Sequence, residues 1–266
     1  MGGKFKLLDK IVPLFPQNIE TFVDLFGGGF NVGINVAAKH IIYNDIESHV
    51  CKLLEYFSIT DTEQLLSEIH DLIERFKLSK ENAEGFNSLR EYYNKENSSP
   101  IVFYTVLCYA FNYQIRFNSS GKYNMPFGKN RSSFNSALEQ KFIKFVDVLH
   151  SKSCTFYNFT FEKFDLSALG ANNFVYCDPP YYNSTATYNE QGGWTQEHEK
   201  TLLKKLDELN NNNVKFALSN NLKYDNPFLS EWKDKYVVHY IDGDYSNCNY
   251  HKIDRSKDVE VVITNY

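Results

Sequence analysis

Residues 174–177, Phe174-Val175-Tyr176-Cys177, are an unbroken apolar run of the kind a fully buried strand carries. They lead straight into Asp178-Pro179-Pro180-Tyr181. Two consecutive prolines fix φ and remove two N–H donors, so the hydrogen-bonded ladder has to stop there. The strand end then presents the Asp178 carboxylate and the Pro179 carbonyl as two rigid acceptors, with the Tyr181 ring beside them. Open α/β sheets bind their ligands at the carboxyl ends of their strands. A strand-ending turn accounts for one proline but not for this four-residue arrangement.

The rest of the chain supplies such a sheet. Glu20 to Phe26 reads as a buried strand running into Gly27-Gly28-Gly29; Phe30 to Ala38 is expected to be helical, and Ile41-Ile42-Tyr43 to be a second strand ending at Asn44-Asp45. Strand, glycine turn, helix, strand and acid make one βαβ unit. From 46 to 150 strand signals nearly vanish, and helical patterns occupy 46–57, 61–77, 84–95 and 100–112, the last with Ser99-Pro100 as cap and first residue. Residues 113–135, rich in Asn, Ser and Gly, predict a loop or small hairpin. Strand signals return at Cys154–Tyr157, Asn173–Cys177, Val214–Ser219, Tyr236–Ile241 and Val259–Thr264, with an amphipathic helix over Thr195–Leu209. The fold class is therefore α/β, a sheet interrupted by a mostly helical insertion: 1–55 and 151–266 form one domain and 56–150 the other.

Composition narrows the function. The 266 residues are 42% hydrophobic and 23% charged, which suits a globular core, and there is no 18-residue apolar run or signal-peptide start. Five cysteines, never closer than 23 residues, exclude a zinc ribbon and fit reduced thiols, so the expected location is cytoplasmic, with no membrane association. The seven histidines form no ligand pair, and Asp45, Glu47 and His49 make no recognisable metal site, so no metal is expected. Net charge is −5, yet residues 101–160 hold seven bases against two acids. Within 111–131 four bases (Arg116, Lys122, Lys129, Arg131) meet no acid. A basic island on an acidic body is the footprint of a phosphate-facing surface.

The glycine spacing, Gly27, Gly29 and Gly33, is G-x-G-x-x-x-G rather than the dinucleotide fingerprint. Asp45, 16 residues past Gly29 at a strand end, is placed to accept hydrogen bonds from the ribose hydroxyls of a nucleoside ligand. An exocyclic amine on adenine is a poor nucleophile because its lone pair is delocalised into the ring. Two acceptors such as Asp178 and Pro179, aimed at its two N–H bonds, localise that pair toward an electrophilic methyl group.

Together these motifs resemble the Dam-type, D12-class (alpha-group) DNA adenine-N6 methyltransferases, closest to the T-even phage and related bacterial enzymes. The likeness covers nearly the whole chain. It is carried by Gly3-Lys4, Phe22 to Phe26 with its glycines, Asn44-Asp45, Arg116-Phe117-Asn118, Gly121 and Pro126-Phe127-Gly128-Lys129. Asp178 to Tyr181, Tyr188-Asn189, Phe216 to Asn220 and Glu260-Val261 complete it. The resemblance implies a Rossmann-like methyltransferase sheet, S-adenosylmethionine as methyl donor, and double-stranded DNA bound by the insertion. A companion restriction endonuclease is a partner that such enzymes can have.

By the same resemblance Asp178, Pro179, Pro180 and Tyr181 are catalytic, with Tyr181 stacking on a flipped adenine and Tyr188 a second candidate wall. Lys4, Phe26, Gly27, Gly29, Asp45, Thr160, Phe161 and Asp178 hold the cofactor. Phe111, Asn112, Arg116, Asn118, Lys122, Pro126, Lys129 and Arg131 meet DNA. Arg116 and Arg131 suit guanine edges, Lys122 and Lys129 suit phosphates, and Phe111 with Tyr113 suits a wedge into the stack. The implied target is 5′-GATC, although Asn130 stands where some relatives carry Arg, with Arg131 following. Family members also carry residues before the Gly-Lys pair, including an aromatic that touches the cofactor, so another group is expected to close the site or cofactor affinity to be reduced.

Three rivals explain less. An N-methyltransferase of RNA or of a protein amide shares the chemistry but usually has Asn first and lacks the Arg-Phe-Asn to Pro-Phe-Gly insertion. A nicotinamide oxidoreductase accounts for the glycines and Asp45 but not for Asp178 to Tyr181. A non-catalytic DNA-binding module has no need of Asp178 and its prolines.

Overall fold

A computed structural model describes residues 4–183, 193–241 and 259–266. Tyr188 and Asn189 lie outside the described residues. The elements run α1 (Leu8–Ile11), β1 (Ile19–Asp24), β2 (Ala38–Asn44), α2 (Ser48–Ile59), α3 (Thr62–Arg75), α4 (Ala83–Lys95), α5 (Pro100–Tyr109) and α6 (Ser136–His150). They continue with β3 (Cys154–Tyr157), β4 (Asn173–Cys177), α7 (Gln196–Asn211), β5 (Lys215–Asn221), α8 (Pro227–Trp232), β6 (Val237–Ile241) and β7 (Glu260–Thr264). The chain divides into two compact units, one of residues 48–152 and one of residues up to 47 together with 153–266. The division falls at 47/48 rather than at 55/56, because α2 packs with α5 and α6 in the helical unit.

In the sheet unit, seven strands take the order β3-β2-β1-β4-β5-β7-β6. β1 to β5 pair in parallel, while β7 runs antiparallel to both β5 and β6. Strand order reverses between β1 and β4, and that reversal opens a crevice at their carboxyl ends. Pro179 and Pro180 follow one residue after β4, so the prolines set the strand's end as their missing donors require. One face of the sheet is sealed by Val23, Val175, Cys177, Phe216, Leu218, Val261 and Ile263 against Leu202, Leu203, Leu206 and Leu209 of α7 and Leu229 and Trp232 of α8. On the other face Phe15 packs against Phe22, Phe174 and Tyr176.

The expected helix over Phe30–Ala38 does not form. A short 3-10 turn, Gly33–Asn35, stands there, and β2 begins at Ala38. The Asp24 carboxylate, buried at the end of β1, accepts the Gly33 N–H at 3.0 Å, and Phe30 adopts a left-handed φ of 60°. The tertiary partner of one backbone donor outweighs the local helical pattern. α6 was not anticipated; it is capped by Asn135, whose side chain accepts from Leu138 N, and it buries Phe142, Val146 and Leu149. Thr195 caps α7, its hydroxyl accepting the His198 N–H while its own N–H donates to His198 Nδ1, as in a capping box, whereas Ser99 precedes α5 without a side-chain cap bond and α5 relies on Pro100 in its first turn.

In the helical unit, residues 110–127 form a small hairpin-like loop through the bridges Ala110–Phe127 and Phe117–Tyr123. Phe117 stacks on His49 at 3.9 Å between ring centres and lies near Phe103 and Tyr123, which ties the loop to α2 and α5.

Candidate active site

The crevice between β1 and β4 is built on a buried ammonium. Lys4, only 4% exposed, places Nζ 2.7 Å from Asp178 Oδ1 and 2.9 Å from Glu260 Oε1, and donates to the Tyr181 hydroxyl. That hydroxyl in turn donates to Glu260 Oε1 at 2.6 Å. Asp178 hangs from the end of β4, Glu260 opens β7, and Lys4 comes from the first turn of the chain, so three distant segments close one polar cluster. Asp178 alone among the charged members keeps appreciable access, with 21% of its side chain exposed. Burial pushes the Asp178 and Glu260 carboxyls above their ordinary range, and the Lys4 ammonium opposes that shift. Burial works against the Lys4 charge, yet the two carboxylates and Tyr181 hold its pKa well above the ordinary lysine value. Beneath the cluster, Tyr176 on β4 is hydrogen-bonded to Ser219 on β5 at 2.7 Å.

A second arm of the crevice is the glycine turn after β1. Gly27 donates to Asn44 O at 2.8 Å, which draws the turn against β2, and a Cβ there would meet the Tyr43 ring at 2.3 Å. The left-handed position is Gly28 (φ 48°), where a Cβ would meet open space. Asp45 Oδ2 accepts the Gly28 N–H at 2.8 Å and Oδ1 accepts the Glu47 N–H at 2.8 Å. Each oxygen keeps a further lone pair, so the carboxylate can still receive hydroxyls. Burial raises its pKa and the two N–H bonds oppose the rise.

Phe26 meets Phe161 at 5.4 Å and Trp194 at 5.7 Å, and Phe161 meets Trp194 at 5.2 Å. The Thr160 carbonyl shapes the turn that contains Phe161 by accepting from Lys163 N and Phe164 N. Asp24, 1% exposed, is pushed up to about 7, chiefly by burial and further by the nearby Asp178 and Asp45 carboxylates.

The structure thus brings Lys4, Phe26, Gly27, Gly29, Asp45, Thr160, Phe161 and Asp178 to Tyr181 into one unit. The Lys4 ammonium, expected at the cofactor, is engaged by Asp178, Glu260 and Tyr181. Glu260, Asp24 and Trp194 had drawn no functional role from the sequence. Glu260-Val261 stood out only as a matching dipeptide, and Asp24 only as part of a strand. Among the described residues no group of three or more His, Cys, Asp or Glu side chains is arranged to hold a metal ion.

The donor set fits S-adenosylmethionine. Among the described residues one ammonium serves Asp178 and Glu260, and the buried Asp24 carboxyl lies nearby, an arrangement suited to a cationic sulfonium. Asp45 beside the open Gly28 suits a ribose, and Phe26 with Phe161 offers flat apolar walls for an adenine.

In the helical unit, Asn112, Arg116, Asn118, Lys122, Pro126, Lys129 and Arg131 are all exposed, while Phe111 is half-buried beneath the Arg131 guanidinium, 5.5 Å from its ring centre. Asn112 and Tyr113 both adopt a left-handed φ of 53°, a strained pair for residues bearing side chains. Arg116 spends Nε on Asn124 Oδ1 at 2.9 Å and one terminal nitrogen on Asn124 O at 3.2 Å, which leaves other donors of its fork available. Asn118 shapes the loop, its Oδ1 accepting from Ser120 N and Lys122 N.

A seven-stranded sheet of this order, with a glycine turn and a carboxylate–Pro–Pro–Tyr segment at its switch point, defines the Rossmann-like S-adenosylmethionine-dependent methyltransferase class. More narrowly, residues 1–247 match the model of the D12 class N6 adenine-specific DNA methyltransferases, and the chain belongs to that family. It is 47% identical over 273 residues to the type II methyltransferase M.FokI of Planomicrobium okeanokoites, covering all of this chain and 42% of that protein. It is 39% identical over 275 residues to the modification methylase StsI of Streptococcus sanguinis, with the same coverage. It is 26% identical over 249 residues to the DNA adenine methylase of Escherichia coli K12, covering 90% of this chain and 84% of that one. The chain spans about two-fifths (42%) of the length of M.FokI and StsI.

Proposed function

We propose that this chain transfers a methyl group from S-adenosylmethionine to N6 of an adenine flipped out of duplex DNA. The observation that carries the reading is Asp178, held by Lys4 at 2.7 Å and followed by two prolines and a tyrosine at the switch point of the sheet. The cofactor, when bound, supplies an electrophilic methyl group on a positively charged sulfur. The chain's own residues do the rest. Asp178 and the Pro179 carbonyl accept the two N–H bonds of the adenine amine and make its lone pair available. Pro180 fixes the backbone that aims them, and Tyr181, anchored through its hydroxyl, offers a ring to the base. Asp45, Gly27 and Gly29 cradle the nucleoside of the cofactor, with Phe26, Thr160 and Phe161 along the adenine and Lys4 acting through Asp178. A base amine inside the helix is out of reach, so extrusion is required, at a cost of roughly a few kcal/mol.

The helical unit is read as the target-recognition domain. Its four exposed bases between 111 and 131 support phosphate contact by Lys122 and Lys129 and guanine reading by Arg116 and Arg131. Phe111, Asn112, Asn118 and Pro126 share that loop and complete the proposed DNA surface. We keep 5′-GATC, the target that the resemblance to the Dam-type enzymes implies, as the candidate site. The higher identity to M.FokI and StsI supports a restriction–modification setting, with a companion endonuclease, and a site of its own. A DNA substrate implies a cytoplasmic setting.

The test incubates the purified chain with methyl-labelled S-adenosylmethionine and duplex DNA, RNA or protein, then sequences the modified DNA. Label on adenine N6 in one sequence context is expected; label confined to RNA or protein would overturn the reading.

A further inference from the structure

Glu260 has no part in the acceptor pair of Asp178 and Pro179, yet it is 2% exposed and lies at the centre of the cluster. Its Oε1 receives both the Lys4 ammonium, at 2.9 Å, and the Tyr181 hydroxyl, at 2.6 Å, while Oε2 lies 3.4 Å from Asn221 Nδ2 on the neighbouring strand. A carboxylate is costly to bury, and Lys4 with Asp178 would already make a neutral pair. Among the described residues, adding Glu260 leaves one ammonium facing two carboxylates, a net single negative charge in the cluster. An excess buried charge calls for a compensating one. Methyl transfer to an amine held by Asp178 requires the sulfonium to sit within bonding reach of that amine, and so close to this cluster.

Resting on the function proposed above, we infer that Glu260 is a positioning residue with two tasks. It anchors Tyr181 beside Asp178, and it gives the Lys4–Asp178 pair the negative charge that favours the cationic methyl donor over its neutral thioether product. The second task helps release product, because S-adenosylhomocysteine lacks the positive charge that the cluster attracts.

The variants are Glu260→Gln, which keeps the shape and an acceptor for Tyr181 but removes the charge, and Glu260→Asp, which keeps the charge and shortens the reach. Calorimetry gives the affinities for S-adenosylmethionine and S-adenosylhomocysteine, and steady-state assays on duplex DNA give kcat and KM. For E260Q the ratio of the two affinities is expected to shift about tenfold against S-adenosylmethionine, the effect of one charge at several ångströms in a partly screened interior. For E260D the ratio is expected to stay within about twofold of wild type while kcat falls about tenfold with KM for DNA unchanged, because the hydroxyl anchor is withdrawn. A merely structural glutamate would weaken both ligands alike. Equal weakening in E260Q, or wild-type kcat in E260D, overturns the inference; E260D carries the test alone if E260Q does not fold. Failure of the wild-type chain to bind either ligand would instead overturn the function proposed above.

Discussion

Replacing Lys4 by Met removes the only ammonium that the described residues bring within 4 Å of Asp178 and Glu260 and leaves the hydrocarbon volume largely intact. Charge centres about 4 Å apart at an effective dielectric of about 20 interact by about 4 kcal/mol. Burial already pushes this carboxyl upward with Lys4 restraining it, so the loss moves its pKa further up. A protonated Asp178 no longer offers its ionised acceptor to the amine, and only the Pro179 carbonyl is left as it was. Turnover therefore falls as pH drops through the Asp178 pKa, and in Lys4→Met that acid limb shifts toward higher pH. At pH 7 turnover is expected to fall. The assay is kcat against pH from 5.5 to 10 under saturating cofactor and DNA, with circular dichroism at each pH because breaking a buried pair costs about 3–5 kcal/mol of stability. Lys4→Arg, which keeps the charge, should leave the limb within about half a unit. A folded Lys4→Met protein with the wild-type acid limb would refute the role assigned to Lys4.

Three further outcomes are expected. Asp178→Ala should abolish methyl transfer in a folded protein, losing several kcal/mol of transition-state stabilisation at roughly 3 kcal/mol per oriented polar group, and single-turnover assays with circular dichroism check both parts. Asp24, pushed up to about 7 by burial, takes up a proton on folding between its ordinary value and about 7, so stability falls as pH rises through that range; Asp24→Asn, titrated with urea at pH 5 and pH 8, should gain about 2.5 kcal/mol more at pH 8 than at pH 5. In the helical unit, Arg116→Ala should cost about 1–3 kcal/mol on the cognate duplex and flatten preference at one base pair, whereas Lys129→Ala should weaken all duplexes alike and reduce the salt slope of log K by about 0.9, both read by titration of single-base-substituted duplexes at several salt concentrations.

The strand ends were legible in the sequence because local chemistry dictates them. The prolines at 179 and 180 end β4 wherever the chain goes, and the apolar runs before Asp24 and Asp178 admit only buried strands, so the acceptor pair and the glycine turn could be placed from residues alone. Asp45 was legible for the same reason, as the acid closing the second strand. The charge pattern of 111–131 needed no fold either, since clustered bases without acids are exposed in almost any packing.

What the tertiary structure alone decided is the company these residues keep. Lys4, Asp178 and Glu260 are separated by most of the chain, and nothing in the spacing of a lysine near one end and a glutamate near the other announces an ion pair. The Gly33 N–H went to Asp24 instead of continuing a helix because a buried carboxylate needs a donor more than the turn needs its local bond. Sequence determines which groups carry charge and where backbone must turn. Only folding determines which charges share a buried space, because that energy depends on distance and on excluded water, and neither is written in the order of residues.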